Sequence, residues 1–436
     1  MHTRALLATY AATPNARLVV GRAVSSAAMG ATVRGALDAL KSVLLPAGYP
    51  GSVRSEYLRF QKYDTLQAAC SYLRSILATS AILRGAGVGE DGASALAAAL
   101  AWVLRDGLGM IGSLLFSFLV GSGFDRNVKE WRLFADLVND VGLTLDMLAP
   151  LAGRGGGFML VAALGAACKT VCGMVAGATR ASITAHFTLR NNLADVSAKE
   201  GAQETAVTLV GLLLGTALAQ WVGESQFAVW SAFLLLTVVH AWANWLGVGS
   251  LALTSVNGQR ARILCRAWWE SSSARAQTPE EVAGAERPWG PLWLWLRGPR
   301  VAVGIDSLVE IYDFDSCVRA LRGLASVFEG CDYVLRVGLD DRPCIALHAG
   351  ATDETALRAL FHCALLEYRS AYDGTRQDHT WDEEERALLA NTRAIADAHW
   401  KRVTPSLKAH GWDAAATRLD AYGPTRIAFE DELILE

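Results

Sequence analysis

Two long segments without a charged side chain adjoin each other in the middle of this chain. Thr205–Gly223 runs for 19 residues and Ser225–Gln259 for 35 residues without an Asp, Glu, Lys or Arg, and Glu224 alone separates them. A helix of about 20 apolar residues crosses the hydrocarbon core of a bilayer, so each segment is long enough to do so. The sequence therefore predicts a helical transmembrane hairpin, with spans at 205–223 and 226–253.

The charges that flank the hairpin predict its orientation. Lys199 precedes it, and three arginines follow it between residues 260 and 266. By the positive-inside rule, both ends of the hairpin face the cytoplasm, or the matrix or stroma of an organelle. Gly211 and Gly215 form a GxxxG pattern in the first span, which predicts close packing against another helix. The alternative is a pair of buried helices in a large soluble bundle.

The density of charged side chains divides the chain into two parts. Residues 1–260 hold 20 basic and 15 acidic side chains, whereas residues 261–436 hold 20 basic and 28 acidic ones. Soluble domains carry about a quarter charged residues, and the second part alone reaches that density. We therefore expect a mainly α protein, with a helical membrane-type domain over 36–270, a polar linker over 271–299 and a small soluble α/β (α+β) domain over 300–436.

Short strand and helix patterns follow one another in the C-terminal part. The turn sequence Asp340–Pro343 predicts a hairpin between the two strands beside it. The predicted strands are Val301–Ile305, Tyr333–Leu339, Cys344–His348 and Thr425–Phe429. The predicted helices are Asp315–Glu329, Asp353–Tyr372, one that opens at a capping box of Asp382 and Glu385, and one that begins at Thr404.

Two further apolar stretches carry internal charges. Ser94–Gly121 is interrupted by Arg105 and Asp106, and Phe158–Ala178 by Lys169. Charges inside such segments are costly in lipid, so they should face a protein interior, a polar cavity or the interface. The sequence leaves open whether these stretches span the membrane, re-enter it or lie on it.

The N-terminal segment 1–35 has the composition of a targeting sequence. It contains arginines, many Ala, Ser and Thr residues, and no acidic side chain before Asp38. This composition is typical of mitochondrial or plastid import. The alternative is an alanine-rich surface helix. We expect the protein in a membrane, with an organelle as the candidate location.

No motif in the sequence indicates a reaction. The pattern Gly107–Gly112 matches GxGxxG, but helical sequence precedes it, so it fits helix packing rather than dinucleotide binding. Cys168 and Cys172 can share a helix face, but two more ligands for a metal ion are missing nearby. Neither half has the basic surface that nucleic-acid binding needs. We therefore predict no catalytic residues, no cofactor, no metal site and no nucleic-acid partner.

Polar residues that lie before the hairpin or interrupt the apolar stretches form the candidate functional cluster. A structural role would explain why these residues cluster, because Asp195 and Lys199 are spaced to form an ion pair across one helical turn. The functional hypothesis is a site at the membrane boundary that binds an anionic group through Arg180 and Lys199. The candidate residues are Asp106, Lys169, Arg180, His186, Asn191, Asn192, Asp195 and Lys199.

An ordered series of motifs resembles the root UVB sensitive (RUS) family, over roughly residues 36–430. The first is Leu45–Val53, similar to the family's LPxG(F/Y)PxSV, and the last is Gly411-Trp412. Ala202 stands where the family usually has a serine, and Tyr63 replaces a usual tryptophan. Between the first motif and the last, the matching residues are Tyr57, Gln61, Asp64, Asp106-Gly107, Gly109, Asp125, Lys129–Asp136, Asn139-Asp140, Gly177–Ala181, His186, Asn191-Asn192, Asp195–Lys199, Gln203–Thr205, His240, Asn244, Asn257 and Leu407-Lys408.

The resemblance implies a role without a known chemistry. Plant members are associated with plastids, UV-B tolerance, early seedling growth, auxin transport and vitamin B6 balance, and some pair with each other. It implies a membrane protein that is not an enzyme and that acts in small-molecule transport or homeostasis, with the ligand unknown. The alternative is a membrane-anchored scaffold that forms homo- or hetero-oligomers with family members.

Overall fold

The computed structural model of the protein describes residues 31–87, 95–120, 124–153, 155–271, 275–288, 302–303, 322–337, 343–369 and 383–419. The predicted targeting segment lies outside these residues except at its end. The N-terminal part is helical, as predicted, and α4 packs along α5 while α2 packs along α7. Its helices are α1 (Ala31–Leu44), α2 (Tyr57–Gly85), α3 (Ala95–Val120), α4 (Val128–Leu148), α5 (Gly156–Phe187), α6 (Leu193–Val222) and α7 (Gln226–Gly249).

The predicted hairpin is formed by α6 and α7. Gly223 adopts a φ of 53°, a conformation that favours glycine, where the chain leaves α6. The Ser225 hydroxyl then accepts a hydrogen bond from the Ala228 amide at 3.3 Å and caps the start of α7. The turn is therefore encoded locally, and the first helix begins a dozen residues before the charge-free segment.

Three helices in the described part of the chain are long and apolar enough to cross a membrane, namely α5, α6 and α7. The stretch 158–178, which the sequence left undecided, lies within α5. Large apolar side chains point away from the protein: Leu213 is 71% exposed, Trp221 79% and Phe227 84%. A soluble bundle would bury such residues, whereas lipid solvates them. The exposed surface favours the membrane over the soluble alternative.

We predict that the full chain sediments with membranes and stays there after extraction with alkaline carbonate. The physical reason is the apolar surface of α5, α6 and α7, which water would solvate poorly. Immunoblotting of the carbonate pellet and supernatant measures the distribution. Recovery of the protein in the supernatant without detergent would contradict membrane insertion.

The glycines of the first span lie where α6 meets α2, as the GxxxG pattern predicts. A Cβ atom on Gly211 would come within 2.6 Å of the Tyr72 ring, and one on Gly215 would overlap the Ile76 side chain. The absence of side chains at these two positions lets the helices approach closely. This contact holds α6 against the rest of the helical core.

The described residues of the C-terminal part combine short strands with two long helices. In its sheet β4 (Pro343–Leu347) lies between β2 (Ala302–Val303), which is parallel to it, and β3 (Tyr333–Val337), which is antiparallel. The predicted antiparallel pairing is thus confirmed, but Pro343, predicted in the turn, begins β4, and residues 338–342 lie outside the described residues. The helices are α10 (Asp353–Arg369) and α11 (Glu383–Ala409), and β5 (Asp413–Arg418) follows them. The predicted residues 315–321, the capping residue Asp382 and the strand 425–429 lie outside the described residues.

Two predicted helices near residue 404 are in fact one. α11 continues through Pro405, although a proline inside a helix removes one backbone hydrogen bond. Val403 and Leu407 on either side of it are buried in the C-terminal core. Their burial holds the helix together across the proline, and the sequence pattern alone does not show this.

The core of the C-terminal part begins before the predicted boundary at residue 300. The strand β1 (Ser255–Asn257) pairs in parallel with β5, and α8 (Gly258–Glu270) packs against α10. Side chains between residues 256 and 282 belong to the same buried cluster as the C-terminal strands and helices. The predicted linker 271–299 is therefore not a free polar connection over its described residues 275–288, where α9 (Pro279–Ala285) forms and Val282 is fully buried.

We predict that a fragment starting at residue 300 fails to fold cooperatively, whereas one starting at residue 251 folds. The shorter fragment lacks the strand partner of β5 and the side chains of Leu264, Trp268 and Val282, and a core with such gaps is strongly destabilised. Thermal unfolding followed by circular dichroism compares the two fragments. A cooperative transition in the shorter fragment would contradict the shared core.

Candidate functional site

A polar cavity of about 540 Å³ lies between α2, α4, α5 and α6. Two of its walls, α5 and α6, are helices of membrane-spanning length. Polar side chains inside such helices are costly unless they serve a structural pair or a ligand. The charged residues that line the cavity are Asp64, Arg132, Asp136, Arg180, Glu200 and Glu204.

One guanidinium joins the α2 and α4 walls. Arg132 donates to Asp64 at 3.0 Å and lies 3.5 Å from Asp136, one helical turn further along α4. Asp136 also accepts hydrogen bonds from Gln67 at 3.1 Å and from Asn244 at 2.6 Å. The side chain of Arg132 thus sits between two carboxylates that three helices hold in place.

A second guanidinium joins the α5 and α6 walls. Arg180 donates to Glu204 at 2.7 Å and its Nε lies 3.8 Å from Glu200. Glu200 is buried and accepts hydrogen bonds from Thr184 at 2.7 Å and Gln61 at 3.3 Å. This wall therefore repeats the arrangement of the first, with one guanidinium between two carboxylates.

A buried polar network lies behind the cavity, between α2, α4 and α7. Arg74 pairs with Asp140 at 2.6 Å, and His240 Nδ1 lies 3.0 Å from the same carboxylate. Arg74 also donates to Thr237 at 3.2 Å. Both Arg74 and His240 are fully buried. The pairs of Asp140 with Arg74 and His240 join α2, α4 and α7, so they hold α7 against the wall of the cavity.

Of the predicted site residues, Arg180 lines the cavity. The structure places the others elsewhere: Asp106 pairs with Arg105, Lys169 with Asp146, and His186 Nε2 with Glu56 at 2.8 Å. The Asn192 side chain accepts from the Arg190 amide at 3.3 Å, and Asn191 adopts a φ of 53° in the same loop. The Arg105–Asp106 pair lies within α3, and the other contacts join elements or shape the loop before α6.

The expected pair between Asp195 and Lys199 gives way to other partners. Asp195 accepts a hydrogen bond from the Ala47 amide at 2.7 Å, and Lys199 donates to the Ser42 carbonyl at 2.6 Å. The two side chains thus hold the end of α1 and the segment after it against α6. The structure brings Arg180 to the cavity without Lys199, so the two residues do not form one anion site.

A second buried ion cluster joins the helical core to the C-terminal part. Glu286, after α9, accepts from Lys129 of α4 and from Arg260 of α8, the latter at 2.7 Å. All three side chains are at most 2% exposed. Burial lowers the pKa of Lys129, while the Glu286 carboxylate opposes this shift. The cluster holds the segment 275–288 on the core.

The neighbouring Glu130 gives a pH dependence to stability. Its carboxyl is buried, and its Oε2 has no hydrogen-bond partner among the described residues. Burial raises the pKa of Glu130 to about 7. The folded state therefore holds the proton of the Glu130 carboxyl more tightly than the unfolded chain does. The contribution of this proton to the stability of the fold is complete below a pH of about 4.5 and is lost as the pH rises through about 7.

We predict that Glu130→Gln raises the unfolding temperature at pH 8 and changes it little at pH 5. The amide keeps the shape of the side chain and carries no charge at either pH. Thermal unfolding of both proteins in detergent at the two pH values measures the effect. An equal change in unfolding temperature at pH 5 and pH 8, or a lower unfolding temperature of the variant at pH 8, would contradict the raised pKa of Glu130.

The described residues contain no group of three or more His, Cys, Asp and Glu side chains that could hold a metal ion. The cavity offers hydrogen-bonding groups, namely the hydroxyls of Ser71, Ser75 and Thr208 and the amide of Asn139. Its chemistry is therefore that of a site for a small polar molecule held by hydrogen bonds and charge.

Family profiles match both parts of the chain. Residues 31–272 match a profile described as "Vitamin B6 photo-protection and homoeostasis domain", and residues 316–422 match "Root UVB sensitive protein, C-terminal".

Three relatives illustrate the similarity. The chain is 34% identical to Protein root UVB sensitive 3 of Arabidopsis thaliana, over 84% of the chain and 81% of that protein. It is 41% identical to RUS family member 1 of Dictyostelium discoideum, over 64% and 52% of the two lengths. It is 31% identical to Protein root UVB sensitive 2, chloroplastic, of Arabidopsis thaliana, over 52% of each. No solved structure matches the chain.

Proposed function

The chain belongs to the root UVB sensitive family, and from this premise we propose that it binds a small polar molecule in its helical cavity and moves it across a membrane. The description of the family's N-terminal domain names vitamin B6 homoeostasis, so the vitamin B6 compounds are the proposed ligands. The observation that carries the proposal is the polar cavity between α2, α4, α5 and α6.

The size of the cavity supports this proposal. Its volume of about 540 Å³ falls within the range of about 300–1,000 Å³ that is typical of sites for small molecules. A substituted pyridine ring such as pyridoxine fits in such a space. Polar side chains lie between helices of membrane-spanning length, and transporters commonly bind their substrates in that setting.

The proposed role is not catalytic. The description of the family names photo-protection and homoeostasis and does not name a reaction. A transporter needs a polar path and two conformations, rather than a nucleophile and a base. The proposal places the protein in an organelle membrane, and the relative whose name includes "chloroplastic" supports a plastid.

Uptake into proteoliposomes tests the proposal. Purified protein is reconstituted in liposomes, and the entry of radiolabelled pyridoxine is compared with that into protein-free liposomes. We expect saturable uptake that depends on the protein. Equal uptake in both preparations would contradict transport and favour the alternative, a scaffold that pairs with another family member.

A further inference from the structure

We propose that the cavity selects ligands with a positive or zero net charge and rejects phosphate esters. This inference rests on the proposed function and names the chemical class of its ligand: a small amine or alcohol of the size of a vitamin B6 compound. It follows from the charges of the walls and from the partners that each charge already has.

The lining of the cavity has an excess of negative charge. Four carboxylates face two guanidiniums, so the ionised lining has a net charge of −2. Each wall contributes equally, because Arg132 lies between Asp64 and Asp136 while Arg180 lies between Glu200 and Glu204. A cation between the two walls is attracted by both of them.

Each guanidinium is already paired with carboxylates of the lining. Arg132 is held 3.0 Å from Asp64, and Arg180 is held 2.7 Å from Glu204. A phosphate would have to displace these carboxylates and leave them without their cation. It would also bring a charge of about −1.5 to −2 into a site that already carries negative charge.

The nearby lysines do not reverse this balance. Lys199 is not part of the lining and donates to the Ser42 carbonyl, and Lys169 pairs with Asp146. Neutral donors and acceptors, such as Asn139 and Ser71, complete the lining and suit the hydroxyl groups of a ligand. The site therefore discriminates by charge and binds the ligand's hydroxyl groups through neutral side chains.

A matched pair of probes tests the inference. Pyridoxamine carries a protonated amine, and pyridoxamine 5′-phosphate differs from it by the phosphate alone. Equilibrium binding to the purified full-length protein in detergent measures both. We expect pyridoxamine to bind at least about tenfold more tightly. Equal or tighter binding of the phosphate would overturn the inference while leaving the proposed function intact.

One substitution in the wall tests the cause of the selectivity. Glu204→Gln removes a carboxylate from the exposed end of the pair and frees the Arg180 guanidinium, so it should weaken pyridoxamine binding and strengthen binding of the phosphate. Glu224→Gln, at the exposed tip of the hairpin, is the matched control and should leave both affinities unchanged. An unchanged ratio in the Glu204 variant would overturn the inference. Failure of both probes to bind, together with absent uptake, would overturn the proposed function and the inference with it.

Discussion

Replacing Glu286 by alanine should lower the free energy of unfolding by about 3–5 kcal/mol. The substitution removes the carboxylate shared by Lys129 and Arg260 and leaves two cations buried without it. Removing one partner of a buried pair is costly because the remaining charge has lost its water as well as its partner. The segment 275–288 should also detach from the helical core.

Glu281→Gln provides the control for this prediction. Glu281 is an exposed acid on the same short helix, and glutamine can still complete its capping box with Thr278. Denaturant unfolding in detergent, followed by tryptophan fluorescence, compares the two variants with the wild type. The prediction is wrong if the loss of stability in Glu286→Ala is no larger than that in the control.

Replacing Gly177 by phenylalanine should reduce pyridoxine uptake by at least about tenfold without unfolding the protein. Gly177 lines the cavity on α5, and a Cβ atom built on it meets nothing within 4 Å. A side chain can therefore leave the helix at this position without a clash at its Cβ atom. The ring would fill the space that the ligand needs.

Gly177→Ala is the matched variant at the same position. It adds one methyl group, leaves most of the cavity open, and should stabilise the helix by about 0.5–1 kcal/mol relative to glycine. Uptake by proteoliposomes and the unfolding temperature are measured for both variants. Wild-type uptake by a folded Gly177→Phe protein would show that the cavity is not the path.

The helical hairpin was predictable because the signal is local. A charge-free run of membrane length specifies a span regardless of its neighbours, and Gly223 and Ser225 encode the turn between the spans. The antiparallel pairing of β3 with β4 is local for the same reason, because the two strands are close together in the sequence.

The cavity could not be assembled from the sequence because its pairs are distant in the chain. Asp64 and Arg132 are 68 residues apart, and the helices that carry them meet only in the folded protein. Most of the candidate cluster came from one stretch of sequence, residues 180–199, but His186 and Asp195 hold the segment near residues 47–56. The motifs behind the family resemblance already contained Asp64, Arg132 and Asp136, which is the signal that sequence reasoning could have used.

The linker prediction shows the same limit. The sequence around Glu286 is polar, which is typical of an exposed connection. Its partner Lys129 lies 157 residues away, so the burial of this glutamate depends on tertiary structure. A polar composition shows that a segment can be exposed to water. It does not show whether the charged side chains of that segment are buried against partners from other elements.

The most direct test of the central claim, that the ligand occupies the cavity, is protection of a native thiol. Cys172 lines the cavity, whereas Cys168 lies one turn earlier on α5, is similarly half-buried and is not part of the lining. The rate of alkylation of each thiol by a small neutral reagent is measured by mass spectrometry, with and without pyridoxamine. We predict that saturating pyridoxamine slows the modification of Cys172 at least about tenfold and leaves that of Cys168 unchanged. Equal rates at Cys172 with and without pyridoxamine would contradict the account.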